Sequence, residues 1–205
     1  LSHGELFKQR PWEESIRVPL LIRFPRRFGP KGKQPPTFIN TPDILPTLLG
    51  LCDIDIPESI DGTDYSTYIS EYITASDSPV SPANETKAPA NCALLACQSP
   101  FGQFTREVGG REYRGLRTSR YTYVSDLDGP WLLYDNDNDP YQLTNLAKDD
   151  TKNELIKELD TQLSQKLTQH DDALLPGIEL LKKFHYADDV DETGTMPFFD
   201  EWNPA

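Results

Sequence analysis

Lys8 is the residue with the most chemical promise in this 205-residue chain. It follows the polar stretch Ser2-His3-Gly4-Glu5 and stands ahead of Arg17-Val18-Pro19-Leu20-Leu21-Ile22-Arg23-Phe24, a short apolar run without alternation. Such a run suits a strand buried on both faces of a parallel or mixed sheet, with Pro19 near its start. The ends of such strands are where open sheets present side chains to ligands. An ammonium fixed there suits a small anion, because preorganised positive charge stabilises charge that grows on an oxyanion. A lysine alone is a weak signal, and no complete catalytic set surrounds it. The histidines are His3, His170 and His185; His170 ends a helical pattern, His185 lies in an amphipathic stretch, and both read as structural. The acids show no EF-hand spacing, and no glycine loop could cradle a phosphate.

Charge is unevenly spread. Residues 1–40 hold eight Lys/Arg against three acids, a balance of +5, whereas residues 41–205 carry −18 of the overall −13. The basic opening suits a small anion; Arg26, Arg27, Lys31 and Lys33 read as solvating a Gly/Pro loop. The acidic body argues against nucleic acid, whose phosphates need clustered cations. With 37% hydrophobic and 26% charged residues the chain is expected to fold. No apolar run approaches the roughly 20 residues that span a bilayer. Cys52, Cys92 and Cys97 cannot all pair and match no zinc spacing; Cys92 and Cys97 bracket a strand interior, as packed thiols do. Neither an initiator Met nor a secretory apolar region precedes Lys8, so an upstream half is expected to be missing, and any signal peptide with it.

The elements that must position Lys8 follow from pattern. After the run at 17–24, Thr37-Phe38-Ile39-Asn40 reads as a brief strand. Thr41 to Leu51 reads as a helix with Asp43 as N-cap, Pro46 at its third position and Gly50 as its breaker. Residues 53–89 read as a surface connector with a weak helical patch at 65–73. Four strand-like runs follow, Ala90–Gln98, Glu112–Arg117, Tyr121–Ser125 and Trp131–Asp135, the last three separated by turn signals as in an antiparallel meander. Thr151 to Gln169 is a helix by its stripe of Leu155, Ile156, Leu159, Leu163 and Leu167, opened by a Thr151/Glu154 capping-box pattern. The tail 187–205, with six acids and Phe198, Phe199 and Trp202, reads as docked and partly solvated.

Four separated stretches resemble the sulfatase family of the alkaline-phosphatase-like superfamily. The first is Ser2-His3-Gly4 with Lys8, leading into Pro11-Trp12-Glu13-Glu14-Ser15-Ile16-Arg17-Val18-Pro19. The second and third are Asp43-Ile44-Leu45-Pro46-Thr47 and Asp61-Gly62. The fourth is Leu133-Tyr134-Asp135 with Asp139-Pro140-Tyr141-Gln142 and Asn145-Leu146. The resemblance implies an α/β fold in two parts: the end of the large mixed-sheet domain with its connector (1–89), and a small α+β domain with a four-stranded antiparallel sheet and a packed helix (90–186), followed by the tail (187–205).

It also implies sulfate-ester hydrolysis by a formylglycine nucleophile with Ca²⁺. The formylglycine motif, Cys/Ser-x-Pro/Ala-x-Arg, follows none of Cys52, Cys92 or Cys97, and the family's metal ligands fall upstream of Leu1. Nucleophile and metal are therefore expected from the missing half, and the fragment alone is expected to be inactive. Lys8 carries over as the cation that contacts the sulfate of a small anionic ester. His3 is open between shaping the leaving-group pocket, donating a proton and capping the turn; Glu13, Glu14 and Arg17 are expected to fix the loop. Leu1 departs from the glycine usual at its position. Two other readings stay open, phosphonate or phosphodiester hydrolysis on the same superfamily site, and a non-catalytic sulfatase-like module.

Overall fold

The computed structural model describes residues 3, 9–30, 32–75, 90–101, 104–186, 188 and 190. Along them run α1 (Glu13–Ile16), α2 (Pro25–Phe28), α3 (Thr41–Leu51), α4 (Ser66–Thr74), β1 (Cys92–Cys97), β2 (Tyr113–Thr118), β3 (Tyr121–Asp126), β4 (Gly129–Asp135), α5 (Asn153–Gln169) and α6 (Gly177–Lys183). They divide into two compact units, residues 19–93 and residues 1–18 together with 94–205.

In the unit 19–93, Asn40 rather than Asp43 is the N-cap of α3. Its side chain accepts from the N–H of Asp43, whose carboxylate accepts the Asn40 N–H at 2.7 Å, a reciprocal capping box. The second carboxylate oxygen of Asp43 accepts from Thr63 N at 2.8 Å, so one side chain both starts the helix and holds the Asp61-Gly62 loop. Pro42 lies in the first turn, where no N–H is missed. Pro46 lies inside the helix, not at its third position, and gives the Pro42 carbonyl no partner four residues on. Gly62 closes on that carbonyl; a Cβ there would stand 2.0 Å from it. Gly50 is not the breaker: it sits in the last turn, where a Cβ would meet Asp64 Oδ2 at 2.5 Å, and the left-handed residue past the helix is Asp53 (φ 56°).

Arg27 and Lys33 do more than solvate a loop. Arg27 Nη1 donates to Leu51 O at 2.6 Å and Lys33 Nζ to Ala75 O at 2.6 Å, placing cations on the carbonyls that end α3 and α4. The helical patch expected at 65–73 is the full helix α4. Tyr65, Tyr68 and Ile69 form a buried cluster with Phe28, Ile39, Ile73 and Ala90, so the stretch is not merely a surface connector. Burial pushes the Tyr65 hydroxyl up to about 12. The strands expected at 17–24 and 37–40 do not form. A strand needs a ladder partner, and the sheet among the described residues consists of β1 to β4 alone; Val18, Leu20 and Leu21 lie outside regular secondary structure and are exposed.

In the other unit the sheet has the order β1-β2-β3-β4, with β2–β3 and β3–β4 antiparallel as the turn signals imply. Leu116, Tyr123 and Leu133 stand opposite one another across three strands on one face, all fully buried. The helix α5 covers that face with Ile156, Leu159 and Leu163, and Tyr123 Oη donates to Asp160 at 2.9 Å. The expected Thr151/Glu154 capping box is absent. A 3₁₀ turn at Asp150–Lys152 leads into the helix, Asp149 accepts from the Thr151 N–H and hydroxyl, and Glu154 pairs with Lys157 instead. His170 caps the far end of α5, and His185, past α6, is exposed. Apart from residues 188 and 190, the tail 187–205 lies outside the described residues.

Two ion pairs, each with one partner buried, fasten the chain after α5 to the sheet. Arg114, fully buried, donates to both oxygens of Asp172 at 2.6 and 3.0 Å and to Cys97 O at 3.1 Å. Glu112 accepts from Arg106 at 2.9 and 2.5 Å and from Gly177 N at 2.6 Å, the first residue of α6. Burial alone would raise both carboxyls, but Arg106 with the Gly177 N–H holds Glu112 below the usual range, and Arg114 does the same for Asp172. A depressed folded-state pKa gives stability that is full above the unfolded value, about 4, and is lost as pH falls through the folded one. The thermal midpoint of the chain should therefore hold from pH 7 to about 5 and fall below about 4. Scans of Glu112→Gln should start from a lower midpoint and show a shallower acid decline.

Candidate active-site segment

The second face of the sheet is what fixes the segment 9–16. Tyr113, Val124, Leu132 and Tyr134 present their side chains there and join Cys97 and Phe104 in a buried cluster. Trp12 packs on this cluster beside Trp131, with ring centroids 6.3 Å apart in an edge-on arrangement. Its indole N–H donates to Tyr134 Oη at 3.2 Å, meeting the need of a half-buried Trp for an acceptor.

The flanking residues are tied down in turn. Tyr113 Oη donates to Gln9 O at 3.3 Å, the Arg10 guanidinium lies 4.5 Å over the Phe104 ring, and Pro11 is buried. Glu13 is held twice. Its carboxylate receives a two-pronged ion pair from Arg117, at 2.5 and 3.2 Å, and its backbone N–H donates to Gln142 Oε1 at 2.9 Å. Glu13 and Arg117 are only 14% and 15% exposed, so the pair is little screened by solvent. The short helix α1 starts from this anchored residue, with Trp12 O accepting from Ser15 N and Ile16 N.

His3 stacks on Trp12, centroids 5.0 Å apart and planes 19° from parallel. Its Nε2 is buried without a hydrogen bond, 3.7 Å from Glu14 Oε2. The structure thus brings His3, Trp12, Glu13 and Glu14 together on the sheet. Arg17 is largely exposed, 3.8 Å from Glu13. Lys8 lies outside the described residues. The described chain resumes at Gln9, in the left-handed region at φ 74°.

The signature run near the C-terminus has a matching purpose. Asp139 accepts from Leu143 N and Thr144 N, and Asn145 accepts from Leu133 N and donates to Trp131 O, finishing the β4 edge with a side chain. That turn delivers Gln142 to Glu13. Among the described residues no group of three or more His, Cys, Asp or Glu is placed to hold a metal ion. Cys92 and Cys97 are buried, and burial pushes the Cys97 thiol up to about 11, the wrong direction for a nucleophile. No helix of the described residues is long and apolar enough to cross a membrane.

A short sheet backed by one long helix, with its other face closed by a polar turn from the N-terminal side, is the C-terminal α/β part of the alkaline-phosphatase-like fold. Residues 2–76 match the family described as N-sulphoglucosamine sulphohydrolase, C-terminal. An ulvan-active sulfatase of Formosa agariphila is 37% identical over 197 residues, covering 90% of this chain and 35% of that protein. An endo-4-O-sulfatase of Bacteroides thetaiotaomicron is 30% identical over 191 residues, covering 83% of this chain and 35% of its own length. A solved structure from work on the metabolism of multiple glycosaminoglycans by Bacteroides thetaiotaomicron superposes with a TM-score of 0.59 at 27% identity, over 80% of this chain and 33% of that one. The chain belongs to the sulfatase family and matches its C-terminal portion. It spans about a third of the length of the curated relatives it matches.

Trp12, with Leu95 and Trp131, packs on the cluster that closes this face. Trp12→Ala removes an indole, its hydrogen bond and the His3 stack, at a cost on the order of 3 kcal/mol. Thermal denaturation should show a midpoint lowered by about 6–12 °C, since about 1 kcal/mol moves a domain of this size by about 2–4 °C.

Proposed function

We propose that the whole protein to which this chain belongs hydrolyses sulfate esters, with Lys8 as the cation that contacts the sulfate group. The observation that carries this reading is the anchoring of residues 9–16 to the sheet in a chain whose relatives are named sulfatases. Sulfate transfer spreads negative charge over the nonbridging and departing oxygens, and a fixed ammonium in a preorganised site stabilises that charge without reorganising at the moment of reaction. The fixing has to come from the protein around a flexible four-carbon side chain. The anchored residues begin at Gln9, immediately after Lys8.

We assign His3 to the same site, at the edge where the leaving group departs. Its ring is stacked on Trp12, and its Nε2 is buried without a hydrogen bond, 3.7 Å from the Glu14 carboxylate. The formylglycine and Ca²⁺ that the resemblance implies find no seat among the described residues. We place both on polypeptide beyond these 205 residues, in the large domain whose last part is residues 1–89, with residues 90–186 as the small domain. The relative named an ulvan-active sulfatase puts ulvan first among natural substrates to try.

The test is turnover of the full-length protein on matched aryl sulfate and aryl phosphonate esters, then on ulvan. Sulfate should be the preferred ester, and Lys8→Ala should lower kcat on it by about 10²–10³. The 205-residue chain alone should release no sulfate. Unchanged turnover in Lys8→Ala, or sulfate release by the isolated chain, would defeat the reading.

A further inference from the structure

We propose that Trp12, fixed by Tyr134 and Trp131, is a positioning residue that aims the imidazole of His3 at the departing oxygen of the ester. This rests on the assignment of His3 to the leaving-group edge of the site. His3 carries marks that packing alone does not explain. Its backbone lies at φ 57°, a left-handed conformation unfavourable for a residue with a Cβ. Its side chain is only 14% exposed, and Nε2 is buried with no hydrogen-bond partner among the described residues. A buried imidazole nitrogen left unpaired is costly, and a catalytic role is one of the few reasons such a group is kept. Strained backbone likewise concentrates near working sites.

The stack sets the direction of Nε2. The Trp12 indole lies 19° from parallel to the imidazole at a centroid distance of 5.0 Å, within the range that stacked aromatic pairs favour. The second torsion of a histidine side chain is otherwise broad. Both ring nitrogens bond in the plane of the imidazole, so a partner that fixes the plane also confines where Nε2 can point. Trp12 can impose this because it is itself fixed. Its N–H donates to Tyr134 Oη at 3.2 Å, and its ring meets Trp131 edge-on at 6.3 Å. Trp131 in turn has the Arg111 guanidinium 4.5 Å over its ring, and Arg111 donates to Asp126 at 2.8 Å. The Glu14 carboxylate, 3.7 Å from Nε2, stands beyond hydrogen-bond reach and does not occupy the nitrogen. An oxygen leaving sulfur gains negative charge, and an N–H on Nε2 stabilises it best when already aimed. A misplacement of about 1 Å at such a group costs on the order of 10² in rate, so Trp12 has leverage on turnover without touching substrate.

The experiment uses the full-length enzyme on two esters that share the sulfate and differ in leaving group. The departing oxygen of phenyl sulfate needs stabilising, whereas that of para-nitrophenyl sulfate spreads its charge into the ring. The variants are His3→Ala, Trp12→Leu and the two together, with Trp12→Phe and Tyr134→Phe alongside. Trp12→Leu should lower kcat on phenyl sulfate by about tenfold to a hundredfold with KM little changed, and on para-nitrophenyl sulfate by less than about threefold. Trp12→Phe, which keeps a ring against His3, should restore most of the activity on phenyl sulfate. In the His3→Ala background Trp12→Leu should change kcat by less than about twofold, because the group it aims is gone. Lost stability alone would lower both rates equally, so their ratio separates positioning from folding. If Trp12→Leu does not fold, as judged by thermal denaturation, Tyr134→Phe takes its place in the cycle; it keeps the rings and removes the acceptor of the indole N–H. Equal losses on the two esters, or an equal fold-loss with and without His3, overturns the positioning role and leaves sulfate hydrolysis standing. Full activity of His3→Ala on phenyl sulfate overturns the assignment of His3 and this inference together.

Discussion

A short sheet with two apolar faces needs two covers, and this chain supplies them from opposite ends of its sequence. The helix α5 covers one face with a leucine stripe, and Trp12 closes the other. Burying an indole against Val124, Leu132 and Tyr134 removes apolar surface worth roughly 25 cal/mol per Å². That non-directional gain holds the opening segment to the sheet. Directional contacts then set its register: one indole N–H, one backbone N–H and one two-pronged ion pair. The order of effects explains how the segment 9–16 is held to the sheet without being a strand or a long helix.

Placing the ion pair beside an apolar cover has an electrostatic consequence. An exposed Arg–Glu pair contributes little, because water screens it and ordering two long side chains costs entropy. Glu13 and Arg117 are largely shielded, and the fork geometry of the guanidinium matches the carboxylate, so the pair acts as a geometric clamp. Glu112 with Arg106 and Arg114 with Asp172 work in the same way behind the sheet, where they fix α6 and the chain leading to it. Glu112, Arg114 and Arg117, on or beside β2, therefore tie three separate segments to one strand. Acidic overall charge and buried arginines are compatible, since each buried cation already has its carboxylate.

Legibility in the sequence followed the range of the interactions. The sheet strands and α5 were readable because period-2 and leucine-stripe patterns are local and repeat. Helix α3 was readable in extent but not in its caps: Asp43 reads as the N-cap, whereas the structure uses Asn40 and engages Asp43 with Thr63 N, twenty positions on. The run 17–24 has the composition of a buried strand, yet composition cannot supply the ladder partner a strand requires, and Leu21 stays 93% exposed. Glu13 was readable as a loop-fixing residue, but its partners were not, because Arg117 and Gln142 lie more than a hundred positions away. Gln142 did fall inside the Asp139-Pro140-Tyr141-Gln142 signature; only the fold shows that the signature serves the opposite end of the chain.

The choice of glutamine at position 142 follows from what that position must satisfy. Its backbone lies at φ 53°, which costs a residue with a Cβ roughly 1–2 kcal/mol and would cost glycine almost nothing. Glycine would relieve the strain but leave the Glu13 N–H without its acceptor and remove the donor to Asn136 from a buried site. Each orphaned buried group costs about 1–3 kcal/mol, so the side chain outweighs the strain. A side chain that accepts from one segment while donating to two partners needs both a carbonyl and an NH₂, which only the amides offer. Glutamate would accept but could not donate to Asn136 Oδ1 when ionised. Asparagine is shorter by a methylene, so its amide cannot reach both Glu13 N and the Thr122–Asn136 pair from the same backbone position. Glutamine meets these demands together, and the cost of its backbone is the signature of that constraint.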